Sequence, residues 1–268
     1  MKKMGMKYKL GIVGKDIAYS LSPYIHSSFG KEADIQLTYD IFDLDAGPLE
    51  FIEKFFEEGG TGLNITKPFK EIVAERYSSL GDVSINTLSL ETKADLNNNT
   101  VIKGTSTDGA GLLEDLISRG INVKNKNVLL LGLGGAGYAI ANFLSHICSL
   151  HVWNRSKNKY NRLDPSQNLK IFEENKTSYD LVISCVSSLD EAYLELISDI
   201  KFNAEAHFMD INYRNLSNER LHALAKTKNI NFLDGRGMLV EQAALSFKEW
   251  FGIIPTKEIK NKIKNERL

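Results

Sequence analysis

The chain has 268 residues, 43% of them hydrophobic and 25% charged, and a formal net charge of −1. That length suits one large or two moderate globular domains, and the near-neutral balance excludes a basic field built for nucleic acid or an anionic membrane surface. The two cysteines, Cys148 and Cys185, form no CxxC pair, so buried thiols in a reducing, cytoplasmic setting are expected, with no secretory segment and no run of roughly 18 apolar residues to cross a membrane.

In chain order, "YKLGIVG" (8–14) reads as a strand and "SPYIHSSFGKEAD" (22–34) as a helix opening near Pro23. "LTYDIFDL" (37–44) is a strand, "PLEFIEKFFEE" (48–58) an amphipathic helix and "TGLNIT" (61–66) a strand. A helix follows Pro68. "SINTLSLE" (84–91) and "TVIKGTST" (100–107) are strands split by the polar turn "ADLNNN" (94–99), the best hairpin signal in the chain. "DGAGLLEDLISRG" (108–120) is a helix, and "NKNVLLLG" (125–132) a fully buried strand. Strands and helices then alternate through "SLHVWN" (149–154), "LKIF" (169–172), "YDLVISC" (179–185), "HFMDI" (207–211) and "INFLDG" (230–235) to a helical tail. The alternation predicts an α/β fold with a mainly parallel sheet and helices on both faces. Two domains are expected: residues 1–107 joined by the C-terminal helices 238–268, and residues 108–237.

The string "NITKPFK" (64–70) stands at a predicted strand-to-helix junction and carries two lysines, Lys67 and Lys70. The proline pushes Lys67 towards extended backbone and prepares the next residues for a helix. Asn64, Thr66 and Lys70 would then present polar groups at the junction. A lysine on a first helical turn is ordinarily a solvated side chain, and Asp108 ahead of "GAGLLEDL" is adequately explained as a helix cap.

"VLLLGLGGAGYAIANFL" places Gly132, Gly134 and Gly137 in G-x-G-x-x-G spacing, directly after a buried strand and at a helix start. That is the context in which glycines admit a dinucleotide pyrophosphate to a helix N-terminus. An acid at the end of the second strand would accept hydrogen bonds from a ribose 2′-hydroxyl. Here "HVWNRSKNK" offers Asn154, Arg155, Ser156, Lys157 and Lys159 and no acid. Arg155 can clamp a 2′-phosphate, so NADP(H) is expected over NAD.

Taken together, "SLSP" (20–23), "NITKPFK" (64–70), "INTL" (85–88), "STDG" (106–109), "GLGGAG" (132–137), "NRS" (154–156) and "GMLVEQAALSF" (237–247) resemble the shikimate dehydrogenase family over nearly the whole chain. The resemblance implies an N-terminal α/β substrate domain, a Rossmann-like NADP-binding domain, and C-terminal helices returning to the first. The implied reaction is reversible NADPH-dependent reduction of 3-dehydroshikimate to shikimate, in chorismate biosynthesis. It assigns Lys70 and Asp108 as the catalytic pair, at the cleft between domains. It leaves open whether Lys70 is a base or a positioning cation. Ser20, Ser22 and Tyr213 match positions at the substrate carboxylate, and Asn64, Thr66, Asn86 and Gln242 match its hydroxyl-binding positions. Cofactor contacts are implied at Gly132, Gly134, Gly135, Ala136, Gly137, Asn154, Arg155, Ser156, Lys159, Gly235 and Met238. Without the resemblance, Ser22 before Pro23 reads as a helix cap.

The chain also departs from the family's pattern. Ser106 replaces an Asn, Lys67 a usually apolar residue, and Arg236 a common Leu, while Ser184-Cys185-Val186 stands where Asn-Ala-Thr is usual. The neighbouring readings are a quinate/shikimate or aminoshikimate dehydrogenase, or a non-catalytic NADP-binding regulator on the same scaffold. No metal is expected, because the five histidines form no ligand spacing. The expected partners are a small-molecule substrate and at most a second copy in a homodimer, without nucleic acid or membrane.

Overall fold

A computed structural model describes residues 7–266 apart from 79–80, 93–99, 165–167, 175, 188 and 214–216. The turn expected at 94–99 lies outside the described residues. The chain divides into two compact units, residues 1–111 with 240–268 and residues 112–239.

The first unit runs β1 (Tyr8–Gly14), α1 (Ser22–Glu32), β2 (Leu37–Asp43), α2 (Pro48–Glu57), β3 (Gly60–Ile65), α3 (Lys70–Tyr77), β4 (Thr87–Thr92) and β5 (Thr100–Thr105) into the start of α4 (Asp108–Ser118). The second runs β6 (Asn127–Leu131), α5 (Gly135–Leu144), β7 (Ser149–Trp153), a 3-10 helix (Lys157–Arg162), β8 (Leu169–Ile171), β9 (Ser178–Ser184), α6 (Glu191–Asp199), β10 (Lys201–Asp210), α7 (Ser217–Thr227) and β11 (Asn231–Asp234). Helix α8 (Arg236–Phe251) starts there and passes into the first unit, which α9 (Lys257–Asn265) completes.

In the first unit the sheet order is β2-β1-β3-β4-β5. β1 pairs in parallel with β2 and β3, while β3-β4 and β4-β5 are antiparallel. The sheet is therefore mixed, and its antiparallel β4-β5 pair is the hairpin that the sequence signalled within an otherwise mainly parallel fold. Alternation along the strands sends side chains to opposite faces. Val13, Leu63, Ile65 and Leu88 pack with Ile52 and Phe55 of α2 and Val73 of α3. Leu10, Ile12 and Tyr39 pack with Trp250 and Phe251 at the end of α8, and Trp250 Nε1 donates to Leu88 O at 2.9 Å. Helix α9 is held by charge as well as by Ile263. The buried Glu241 of α8 accepts Lys260 Nζ at 2.7 Å and lies 2.9 Å from Lys264 Nζ.

The second unit is a single six-stranded parallel sheet, ordered β11-β10-β9-β6-β7-β8. The chain enters at the centre, winds to one edge, then returns to the centre and winds to the other. This is the doubly wound Rossmann order, with its switch point between β6 and β9. The central strands are buried on both faces: Val128, Leu129, Leu130, Leu131, Val182 and Ile183 are all 0% exposed. β10 starts earlier than the sequence suggested. A break in register between Phe202 and His207 inserts residues 203–206, Asn-Ala-Glu-Ala with Glu205 at φ 60°, and hides the strand's first half from a period-two reading. No helix among the described residues is long and apolar enough to cross a membrane.

Candidate active site

Lys70 is the first residue of α3, Asn86 immediately precedes β4, and Asp108 opens α4. The first unit brings the three together. Lys70 Nζ lies 2.5 Å from Asp108 Oδ2, and Asn86 Nδ2 donates to Asp108 Oδ1 at 2.9 Å. The two charged side chains are 13% and 5% exposed, so the pair is shielded well beyond an ordinary surface bridge. Each carboxylate oxygen thus has a donor of its own. The competing candidate, Lys67, is exposed, with its ammonium 5.9 Å from the centre of the Tyr19 ring.

A polar network backs this pair. Asn86 Nδ2 also lies 2.9 Å from Thr107 Oγ1 and 3.0 Å from Gln242 Oε1, and its Oδ1 accepts the Thr107 backbone N–H at 2.8 Å. Asn64 Nδ2 donates to Asn86 O at 3.0 Å and to Ser246 Oγ at 3.1 Å. Its Oδ1 accepts the Tyr39 hydroxyl at 2.7 Å. Burial holds the Tyr39 phenol well above its ordinary range, with the Ser22 hydroxyl as a partner pulling the other way. Asn64, Asn86, Thr87, Thr107, Asp108 and Ser246 are all buried. Groups this deep must be paired, and their pairing fixes their orientation.

Of the sequence-derived substrate set, Ser22, Asn64, Asn86, Asp108 and Gln242 join this network with Lys70. Ser20 lies beside it: its Oγ accepts the Ser22 backbone N–H at 3.2 Å. Ser22 lies inside α1 and is not its cap. The cap position is Leu21, which makes no side-chain bond to the helix. Thr66 precedes a turn, with its N–H on Val13 O and its C=O accepting from Phe69 N. Tyr213 belongs to the second unit, just after β10. Sequence reading missed Tyr39, Thr87, Thr107 and Ser246. Three of them sit inside quoted motifs, next to or near residues that were named, and Tyr39 had no signal beyond its strand.

The second unit carries the glycine loop. Gly132 adopts φ +100°, a region side chains rarely enter, and a Cβ on Gly137 would lie 2.0 Å from Gly132 O. A Cβ on Gly134 would meet nothing within 4 Å. Gly134 is the cap position of α5, where Gly135, Ala136 and Gly137 begin the helix and the first N–H groups have no intrahelical partner. Tight turn, close packing and open approach together fit a dinucleotide pyrophosphate. Asn154 braces the loop, accepting the Leu133 N–H at 2.8 Å and donating to Ser156 O at 2.9 Å. The basic lobe after β7 is pinned by Tyr138: its hydroxyl donates to Lys159 O at 2.8 Å and its ring lies 5.6 Å from the Lys159 ammonium. Arg155 Nη2 lies 2.6 Å from Asp190 Oδ2, at the start of α6. Gly235 packs against Ile211, where a Cβ would come within 1.9 Å of the carbonyl oxygen, and Met238 is buried on the first turn of α8.

Residues 12–83 match the model of the shikimate dehydrogenase substrate binding domain, and residues 235–262 that of the shikimate 5'-dehydrogenase C-terminal domain. A shikimate dehydrogenase (NADP(+)) of Xanthomonas campestris pv. campestris is 33% identical over 270 residues, spanning 92% of both chains. The chain belongs to the shikimate dehydrogenase family. A second such relative, from Pyrococcus abyssi, is 32% identical over 262 residues, covering 96% of this chain and 97% of that one. Among solved structures, the shikimate 5-dehydrogenase of Thermus thermophilus in complex with NADP(H) and shikimate superposes with a TM-score of 0.79 at 26% identity, covering 97% of this chain and all 100% of that one. An Ael1 enzyme from Pseudomonas putida gives 0.76 at 30% identity over 96% and 98% of the two chains.

Within this shikimate dehydrogenase fold, the departure at Ser184-Cys185-Val186 has its own support. Ser184 is fully buried and accepts the Tyr193 hydroxyl at 2.9 Å. Asp210 beside it is pushed up to about 6 by burial, against the opposing pull of hydrogen bonds from Asn212 and Ser184. Asn212 Nδ2 in turn donates to Val186 O at 2.9 Å. Cys185 and Val186 line the glycine turn, where a Cβ on Gly132 would sit 3.1 Å from Val186 Cγ2. At the other departure, Ser106 Oγ is buried without a hydrogen-bond partner.

Proposed function

We propose that this chain carries out the reversible NADPH-dependent reduction of 3-dehydroshikimate to shikimate, with Lys70 and Asp108 at the reacting oxygen. The observation that carries the reading is the shielded Lys70–Asp108 pair, fixed by Asn86, in a member of this family. NADP(H), when bound, supplies or accepts the hydride. The reacting oxygen must gain a proton as its carbon gains hydride, and must lose it in the reverse direction. In this reading Lys70 Nζ hydrogen-bonds that oxygen and exchanges that proton. Asp108 is the positioning residue, because its Oδ2 anchors the ammonium while Asn86 fixes the carboxylate. Ser20 and Ser22 at the head of α1, with Tyr213, are assigned to the substrate carboxylate. Asn64, Thr66, Asn86 and Gln242 are assigned to its hydroxyls, a set rich in the donors and acceptors that a polyhydroxylated ring acid requires.

The unit of residues 1–111 with 240–268 then serves as the substrate domain and 112–239 as the NADP domain. Gly132, Gly134, Gly135, Ala136 and Gly137 take the pyrophosphate. Arg155, with Ser156 and Lys159, takes the 2′-phosphate, while Gly235 and Met238 lie towards the nicotinamide. The test is absorbance at 340 nm with purified protein, comparing shikimate with quinate and NADP+ with NAD+. Shikimate-dependent formation of NADPH is the expected result. NADP+ binding without turnover on either acid would overturn the catalytic reading in favour of a regulator.

A further inference from the structure

Sequence reading found no acid after the second Rossmann strand, yet the structure brings one to that place from another element. Asp190 lies 35 positions along the chain from Arg155 and caps α6. Its Oδ1 accepts the Tyr193 N–H at 2.9 Å, while its Oδ2 lies 2.6 Å from Arg155 Nη2. The cap fixes the carboxylate in place, so the arginine is held against a stationary anion. Both side chains remain open to solvent, at 60% and 49% exposure, and a ligand can reach the guanidinium.

From this juxtaposition we infer that Asp190 is a specificity-determining residue, an in-built counter-charge that lowers the chain's preference for NADP(H) over NAD(H). The inference rests on the reading of Arg155 as the 2′-phosphate anchor. A phosphate on that guanidinium carries up to about two negative charges and must share the donor with, and lie next to, the Asp190 carboxylate. Like charges at such a separation repel even in water, and the repulsion is reduced by salt. NAD(H) has no 2′-phosphate and incurs no such penalty. An exposed pair has a small effect, so the expected size is about three- to tenfold in affinity.

The variant Asp190→Asn removes the charge and keeps a good helix cap; Asp190→Ser does the same with a different acceptor. Binding of NADP+ and of NAD+ is measured by calorimetric titration for the intact chain, both variants, Arg155→Gln and each Asp190 variant combined with Arg155→Gln, at low and high salt. Both Asp190 variants should bind NADP+ about three- to tenfold tighter with NAD+ within about twofold, and the gain should shrink in high salt and vanish in the Arg155→Gln background. If NADP+ affinity is unchanged or weaker in both, or if NAD+ weakens because the carboxylate was holding a ribose hydroxyl, the inference is wrong. If Arg155→Gln does not weaken NADP+, the anchor reading itself is at fault, which the Asp190 variants alone would not reveal.

Discussion

Asn86 donates to one oxygen of Asp108 at 2.9 Å, leaving the other to Lys70 at 2.5 Å. The amide therefore sets the plane of the carboxylate, and the carboxylate sets the position of the ammonium. Replacing Asp108 by Asn turns an anchoring anion into a neutral amide that presents either a weaker acceptor or an N–H to Lys70. Asp108→Asn should lower kcat by at least about a hundredfold, the low end for groups on which proton transfer depends. It should also lower unfolding stability by about 1–3 kcal/mol, since a buried ammonium loses its counter-ion. Steady-state kinetics and urea unfolding measure the two effects. A variant with lost stability and intact kcat would make Asp108 a structural residue alone.

The two lysines of "NITKPFK" separate cleanly. Lys70→Ala should reduce kcat by about a hundredfold or more, whereas Lys67→Ala, on the exposed turn, should stay within about twofold of the parent. Should Lys70→Ala raise KM and spare kcat, its role is uniform binding of substrate rather than proton transfer.

These residues also show what the sequence carried and what it did not. Local signals located the hairpin strands, the buried strand before the glycines and the helix after Pro68, because each depends on neighbouring residues. Only the motif resemblance selected Lys70 over Lys67; the fold pairs Lys70 with Asp108 and leaves Lys67 exposed, which no local pattern in the sequence could show. Tyr39 and Ser246 were invisible because their partner, Asn64, lies 25 and 182 positions away. Asp190 was missed for the same reason: scanning after the second strand cannot find an acid delivered by a different βα connection. Strand β10 was half missed because a bulge breaks the alternation that reveals strands.

The glycine loop allows fold and binding to be tested apart. A Cβ on Gly137 would lie 2.0 Å from Gly132 O, so Gly137→Ala must displace backbone and should lower the thermal midpoint. At Gly134 a Cβ meets no protein atom within 4 Å and φ is −96°, which any residue adopts. Gly134→Ala should therefore leave the midpoint unchanged and weaken NADP+ binding by about tenfold or more, because the methyl occupies the space a pyrophosphate approaches. Thermal melts with and without NADP+ give both readings. A Gly134→Ala protein that binds NADP+ normally would place the pyrophosphate elsewhere.

His26 gives the fold a dependence on pH. The ring is 0% exposed, stacked on Tyr39 with centroids 4.6 Å apart, and neither ring nitrogen has a hydrogen-bond partner. Burial lowers the imidazole to about 3, against an opposing pull from the neighbouring Asn64 side chain. Between the ordinary value of 6.5 and about 3, the unfolded chain binds a proton that the folded chain refuses. Stability from this group is thus complete above pH 6.5 and declines as pH falls, by up to about 1.4 kcal/mol per unit. Asp210 works in the opposite sense: raised to about 6, it contributes most below its ordinary value of 3.8 and loses that contribution as pH rises through 6. Comparing the parent with His26→Phe cancels the Asp210 contribution and any pH-independent cost of fitting a larger ring among Phe29, Phe247 and Trp250. Relative to the parent, the variant should gain about 2 kcal/mol in urea unfolding on going from pH 7.5 to pH 5. A difference that stays constant between those two pH values would mean that His26 takes up its proton in the folded chain as readily as in the unfolded one.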